Sequence, residues 1–168
     1  MTLHVSNRSG ARRTRGYIAL AALAAFFCPA AHAIVLGACT ASASGVAFGT
    51  YTPLTILPST GTITVMCTLV LGSSSATIDL STGGSNTFSA RTMFSGANTL
   101  SYNLYLDAAH SMVWGDGTGG SQPGTLTING LGNVTANATI YALIPSQDPA
   151  APLPVNNYTD TIMVTVSY

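Results

Sequence analysis

The chain has 168 residues, 47% of them hydrophobic and 6% charged, with five bases, five acids and neither Lys nor Glu. Four of the bases, Arg8, Arg12, Arg13 and Arg15, lie at the very start. The remainder therefore cannot neutralise a phosphate backbone, which excludes nucleic-acid binding, or dock on anionic lipid through a basic patch. So sparse a charge suits a chain packed into an assembly better than one that relies on a charged surface for solubility.

In chain order, the basic head is followed by an apolar run over 17–30 and then by Ala31-His32-Ala33. Basic head, short apolar run and small-x-small exit are the parts of a secretory signal peptide, and the run is short of the roughly 20 residues that span a bilayer. The expected organisation is a signal peptide over 1–33 and one domain over 34–168, with no membrane insertion after cleavage. That domain keeps Arg91 as its sole base against Asp79, Asp107, Asp116, Asp148 and Asp160, a net charge of −4 with His neutral. It also keeps Cys39 and Cys67. Two cysteines in an exported chain read as one disulfide, closing a loop of about 30 residues.

Past residue 33 the dominant pattern is alternation with period two, broken by Gly, Pro, Asn and Ser. The segment 44–51, carrying Val46 and Phe48, reads as a first strand. In 62–69, Ile63, Val65, Cys67 and Leu69 share one face, and Thr residues with Met66 share the other. Ile78 and Leu80 mark a strand in 76–81. Leu100, Tyr102, Leu104 and Leu106 mark one in 99–107. Leu126 and Ile128 follow in 125–129, then a run of alternate apolar positions from Val134 to Ile144. The final strand sets Ile162, Val164, Val166 and Tyr168 against Thr161, Met163, Thr165 and Ser167. The stretches 53–60 and 145–157 read as long loops and 115–120 as a Gly-rich turn. Short alternating strands with no sustained helical period predict an all-β sandwich or barrel.

Catalytic patterns are missing. His110 is the one histidine of the expected domain, and no G-x-S-x-G motif accompanies it. Asp116 sits in a Gly-Asp-Gly turn without the further acids of a calcium loop. The five acids are scattered rather than paired for glycoside hydrolysis. The glycosylation sequons at Asn133, Asn137 and Asn157 arise readily on the polar faces of Thr-rich strands and receive no role. The chain is read as a non-enzyme without cofactor or metal.

Several stretches, taken together and in order, resemble a known family. They are Ala38-Cys39-Thr40-Ala41-Ser42-Ala43, Val46-Ala47-Phe48-Gly49-Thr50-Tyr51-Thr52-Pro53-Leu54, Gly61-Thr62-Ile63-Thr64-Val65-Met66-Cys67 and Arg91-Thr92-Met93. Leu100-Ser101-Tyr102-Asn103-Leu104-Tyr105-Leu106-Asp107, Trp114-Gly115-Asp116-Gly117 and the closing stretch 158–168 complete the set. The sequence resembles the spore coat protein U domain family, which includes the pilins of archaic (Csu-type) chaperone–usher pili. The resemblance implies an immunoglobulin-like antiparallel β-sandwich that lacks its last strand. A periplasmic chaperone, and later a neighbouring pilin subunit, would complete it by strand addition, with an outer-membrane usher as a further partner. Ile162, Val164, Val166 and Tyr168 would line the acceptor groove, and the chaperone would hold the terminal carboxylate of Tyr168. The chain would pass through the periplasm to the cell surface or outside, in a pilus or a coat.

Only five residues, 34–38, stand between the expected cleavage site and Cys39, too few for a donor strand of eight to twelve residues at about 3.3 Å each. The subunit is therefore expected to accept a strand without offering one, as at a tip. Adhesive loops are then expected at Leu54, Ile56 and Leu57 and at Leu153 and Val155. The alternative is a self-complete secreted coat protein or a glycan-binding module working through Trp114 and Tyr105.

Overall fold

A computed structural model describes residues 1–8, 37–147, 153–154 and 156–168. Among them are seven strands, β1 (Thr2–Arg8), β2 (Cys39–Ala43), β3 (Leu57–Leu80), β4 (Arg91–Ser95), β5 (Asn98–Tyr105), β6 (Gly124–Ile144) and β7 (Thr161–Ser167), and one short 3-10 turn at Gly83–Ser85. The apolar run of the expected signal peptide and its cleavage site lie outside the described residues. Among the described residues no helix is long and apolar enough to cross a membrane.

The long pair β3 and β6 is the frame. The two strands run antiparallel from Leu57 opposite Ile144 to Ile78 opposite Gly124, with one irregularity between Cys67 and Val70. There the ladder bends, so each strand serves two layers. The first layer holds 57–67 and 134–144, with β2 on one side and β5 then β4 on the other. The second holds 70–80 and 124–132, with β7 pairing antiparallel to 77–80 and β1 pairing parallel to β7. Ile63, Val65, Leu100, Tyr102, Leu104, Ile140 and Ile144 from the first layer and Ile78, Leu80, Ile128, Ile162, Val164 and Val166 from the second are buried between the layers. Burying each such aliphatic side chain contributes roughly 1.5–3 kcal/mol. The all-β sandwich of the sequence analysis stands.

Four expectations about its elements need correction. The stretches 62–69 and 76–81 are one strand, as are 125–129 and 134–144, because a β-bulge and Gly residues bend the ladder rather than end it. The same bulge moves Leu69 off the inner face. Its backbone is left-handed (φ 55°), its side chain is 69% exposed, and Val70 takes the buried place. The first strand past residue 36 is β2, not 44–51, which leaves the ladder after Ser44. It still delivers Val46 to the core and sets Phe48 edge-on against Tyr102, 5.9 Å between centroids. Finally, β3 begins at Leu57, so the first loop ends at Ile56. Pro58 is tolerated because β2 pairs only with residues 63–67, leaving that stretch of β3 without a ladder partner on its second side.

Candidate functional site

The edge of β7 carries a strand from the far end of the sequence. Ile162, Val164 and Val166 are fully buried, pointing into the sandwich, while Thr161 and Met163 are exposed. One side of β7 is taken by Thr77–Leu80. The other is taken by β1, in parallel register from Thr2 opposite Thr161 to Arg8 opposite Ser167. Met1, Leu3 and Val5 pack against the core, whereas Thr2 and His4 are exposed. The start of β1 also abuts the first layer, since a Cβ on Gly45 would come within 2.9 Å of the Met1 carbonyl oxygen. β1 thus fills the gap between β7 and the segment that follows β2. Tyr168, just beyond β7, is half-buried, and its hydroxyl donates to the Cys39 carbonyl at 3.3 Å.

A polar knot fixes where β7 begins. Asp160, 7% exposed, accepts the Tyr102 hydroxyl (2.7 Å) on one oxygen and the amides of Gly84 (3.0 Å) and Thr161 (2.8 Å) on the other. Its own carbonyl accepts the Thr2 amide at 2.9 Å. Gly83 is left-handed (φ 66°), and any Cβ there would collide with the Asp160 carboxylate. Burial and the bond to Asp160 push the Tyr102 phenol well above its ordinary value.

Beside it lies Arg91, fully buried. Its guanidinium donates to the carbonyls of Ser81 (2.9 and 3.1 Å) and Trp114 (2.7 Å) and to Asn103 Oδ1 (2.8 Å), and it stacks 5.1 Å over Phe88. Burial lowers it to about 10, opposed by Tyr102 and Asp160. Asn103 in turn donates to the Phe88 carbonyl at 2.8 Å. The sequence shows Arg91 as the sole base of the expected domain but gives neither its burial nor that of Asn103. The readable signal was Arg91 alternating with Met93 at the head of β4, a strand that it did not assign.

The remaining candidates divide. Cys39 and Cys67 are register partners and form the expected disulfide. Leu54 and Ile56 are exposed, at 66% and 64%, in a loop tied down by Leu54 N and Tyr51 Oη donating to the Gln147 carbonyl. The two expected loops therefore meet. Leu57 and Leu153 are half-buried against the core and offer little surface. Val155 lies outside the described residues. A second apolar exposure, Leu69, Leu71 and Leu131 at the β3–β6 bend, escaped the sequence because period two placed Leu69 inside. Trp114 is 1% exposed and donates from Nε1 to the Ile78 carbonyl, which leaves no ring face for a sugar and removes the glycan reading through it. His110 stacks edge-on against Tyr105, and Asp116 caps its own turn at Thr118. Among the described residues no three His, Cys, Asp or Glu side chains gather as metal ligands would.

The Spore Coat Protein U domain model matches residues 25–165. The chain belongs to the spore coat protein U domain family. Protein U of Myxococcus xanthus is 30% identical over 151 residues, covering 79% of this chain and 78% of that protein. Among solved structures, a chain of the chaperone–tip adhesion subunit pre-assembly complex (CsuC–CsuE) from archaic chaperone–usher Csu pili of Acinetobacter baumannii matches at 21% identity and a TM-score of 0.50. That match covers 78% of this chain and 39% of the other, so the chain spans about two fifths of its solved neighbour and shares its fold. Members of the spore coat protein U domain family are structural subunits and not enzymes, and this chain is one of them.

Proposed function

We propose that the chain is an exported subunit of an extracellular pilus or coat, assembled by strand addition along β7 on a chaperone–usher route. One observation carries this reading. The edge of β7 is completed by a strand that belongs to neither layer's contiguous chain, in the gap between β7 and the segment after β2. Without it, a seven-residue edge with three buried aliphatics would stand unpaired, an aggregation hazard that a donor strand removes. The partners are then a periplasmic chaperone, an outer-membrane usher and neighbouring subunits. The Csu complex, itself a chaperone with a tip adhesion subunit, supports this partner class.

The finer reading places the subunit at a tip, with Leu54 and Ile56 as adhesive contacts. The short stretch between residue 33 and Cys39 and the exposure of those two side chains support it. The test is periplasmic expression with and without an archaic-type chaperone. A one-to-one complex that releases its chaperone to another subunit's N-terminal peptide is the expected result; a processed chain that is a soluble monomer and ignores both overturns the proposal. For the tip, changing Leu54 and Ile56 to Ser should abolish surface attachment while chaperone binding persists.

A further inference from the structure

We infer that the open edge of β6 is a second interface, along which two copies of this domain pair antiparallel about a two-fold axis through Thr127. It is independent of strand addition at β7, because β6 and β7 flank β3 on opposite sides. Between Gly124 and Ile140, β3 is the one ladder partner of β6 among the described residues, and β5 joins only at 141–143. The ladder sets which main-chain groups are open. Ser81 donates to the Met163 carbonyl, and Asp79 and Thr77 stand opposite Thr165 and Ser167, so these alternate residues turn their amides to β7. Ile78 and Ala76 therefore turn theirs to Gly124 and Leu126. Thr125, Thr127 and Asn129, all with exposed side chains, are left pointing N–H and C=O away from β3.

Charged side chains and proline are what keep such an edge from pairing. Neither occurs between Gly124 and Ile144. The occupant that fits is a second copy of the chain. The expected domain has one base against five acids, so its copies repel across faces that carry charge but not across this one. The nearest acids, Asp79 and Asp116, lie beyond the Gly124 end of the edge. Antiparallel pairing sets the acids of the two copies at opposite ends, whereas parallel pairing would stack them. A two-fold axis through Thr127 uses all three open residues, with Thr127 opposite itself and Thr125 opposite Asn129, side chains that bond across strands. It also brings Leu131, 79% exposed, opposite the other copy's exposed Pro123. That end borders a cleft of about 190 Å³ bounded by Leu106, Trp114 and Leu126. Leu71, exposed and the register partner of Leu131, widens the apolar contact. The contact is isologous and closes at two copies. A short edge with flanking leucines is smaller than the roughly 800 Å² per partner of a tight interface, so it serves copies already held close together, as in a fibre or coat.

The test uses the exported, processed chain, with its chaperone where one stays bound, in sedimentation equilibrium from micromolar to millimolar concentration. A two-copy association is expected. Thr127→Lys and Leu131→Asp, each at an exposed side chain, should raise its dissociation constant by about tenfold or more. Thr127→Ser should leave it unchanged, as should Met163→Lys on the exposed face of β7. Thr127→Cys should link two copies through a disulfide, and Thr135→Cys, in the first-layer half of β6, should not. A chain that stays monomeric to millimolar concentration, an association that survives Thr127→Lys, or absence of the Thr127→Cys link overturns the inference. Association lost on Met163→Lys but kept on Thr127→Lys also overturns it, assigns self-association to β7 and leaves the strand-acceptor reading standing.

Discussion

The Arg91 guanidinium makes its four hydrogen bonds within the stretch from Ser81 to Trp114. Along β7 the ladder on the outer side comes from residues 2–8, at the far end of the sequence. The first region is closed by its own neighbourhood together with the Asp160 carboxylate. The second is finished by a strand from the opposite end of the sequence. On the proposed function the two serve different ends: a closed corner would hold the sandwich together, and the edge would be where a partner strand is added. Asp160 joins them, giving its carboxylate to the corner and its carbonyl to β1.

The comparison can be broken in several places. The largest effect belongs to the disulfide. Cys39→Ser with Cys67→Ser releases a loop with a sequence separation of 28 and should cost about 3–4 kcal/mol in denaturant unfolding, by the chain-entropy account. Next is Arg91→Met, which removes the guanidinium donors of the Ser81 and Trp114 carbonyls, while Asn103 Oδ1 keeps the Leu104 amide. A loss of about 3 kcal/mol is expected, because stranded buried acceptors cost more than a bond contributes. That loss should be the same with and without residues 1–8. A difference beyond about 0.5 kcal/mol would show that corner and edge are coupled through Asp160.

Tyr102→Phe removes the phenol from Asp160 and should cost about 1–2 kcal/mol. The same change should make the chain more resistant to alkali. The phenol's folded pKa is raised, so its stabilising contribution is complete below its ordinary value of 10 and is lost as pH rises toward the higher folded value. Smallest is Asp107, which accepts the Met112 amide and the Ser111 amide and hydroxyl and is held below its ordinary 3.8, chiefly by the Met112 bond. Its contribution is present above 3.8 and fades as pH falls through the lowered folded value. An NMR titration should find its midpoint below 3.8, and Asp107→Asn should leave β7 protection unchanged.

Much of the sandwich was legible because period-two alternation is a local signal. Val164 and Val166 could be assigned inward from their spacing alone, and Ile78, Leu104 and Ile128 likewise. What the sequence hid was non-local or was cancelled by a single residue. The bulge after Cys67 turned Leu69 outward, and no pattern within the strand announces an inserted residue. Arg91 and Asn103 are polar by composition and buried by partnership, and partnership appears only when β4, β5 and the turn after Leu80 are brought together. The resemblance points to the edge of β7, and the pairing of residues 2–8 with it is non-local, so no pattern within the first eight residues announces it.

The cross-link between Cys39 and Cys67 also has a mechanical meaning. A pull on the chain entering β2 would otherwise peel five register pairs one at a time. Instead the load crosses a covalent bond into the middle of β3 and is spread over the β3–β6 ladder on both sides of the bend. Loading that ladder along its length strains many hydrogen bonds at once, so the domain, gripped from this end, resists stretching through its longest pair of strands and spares β2.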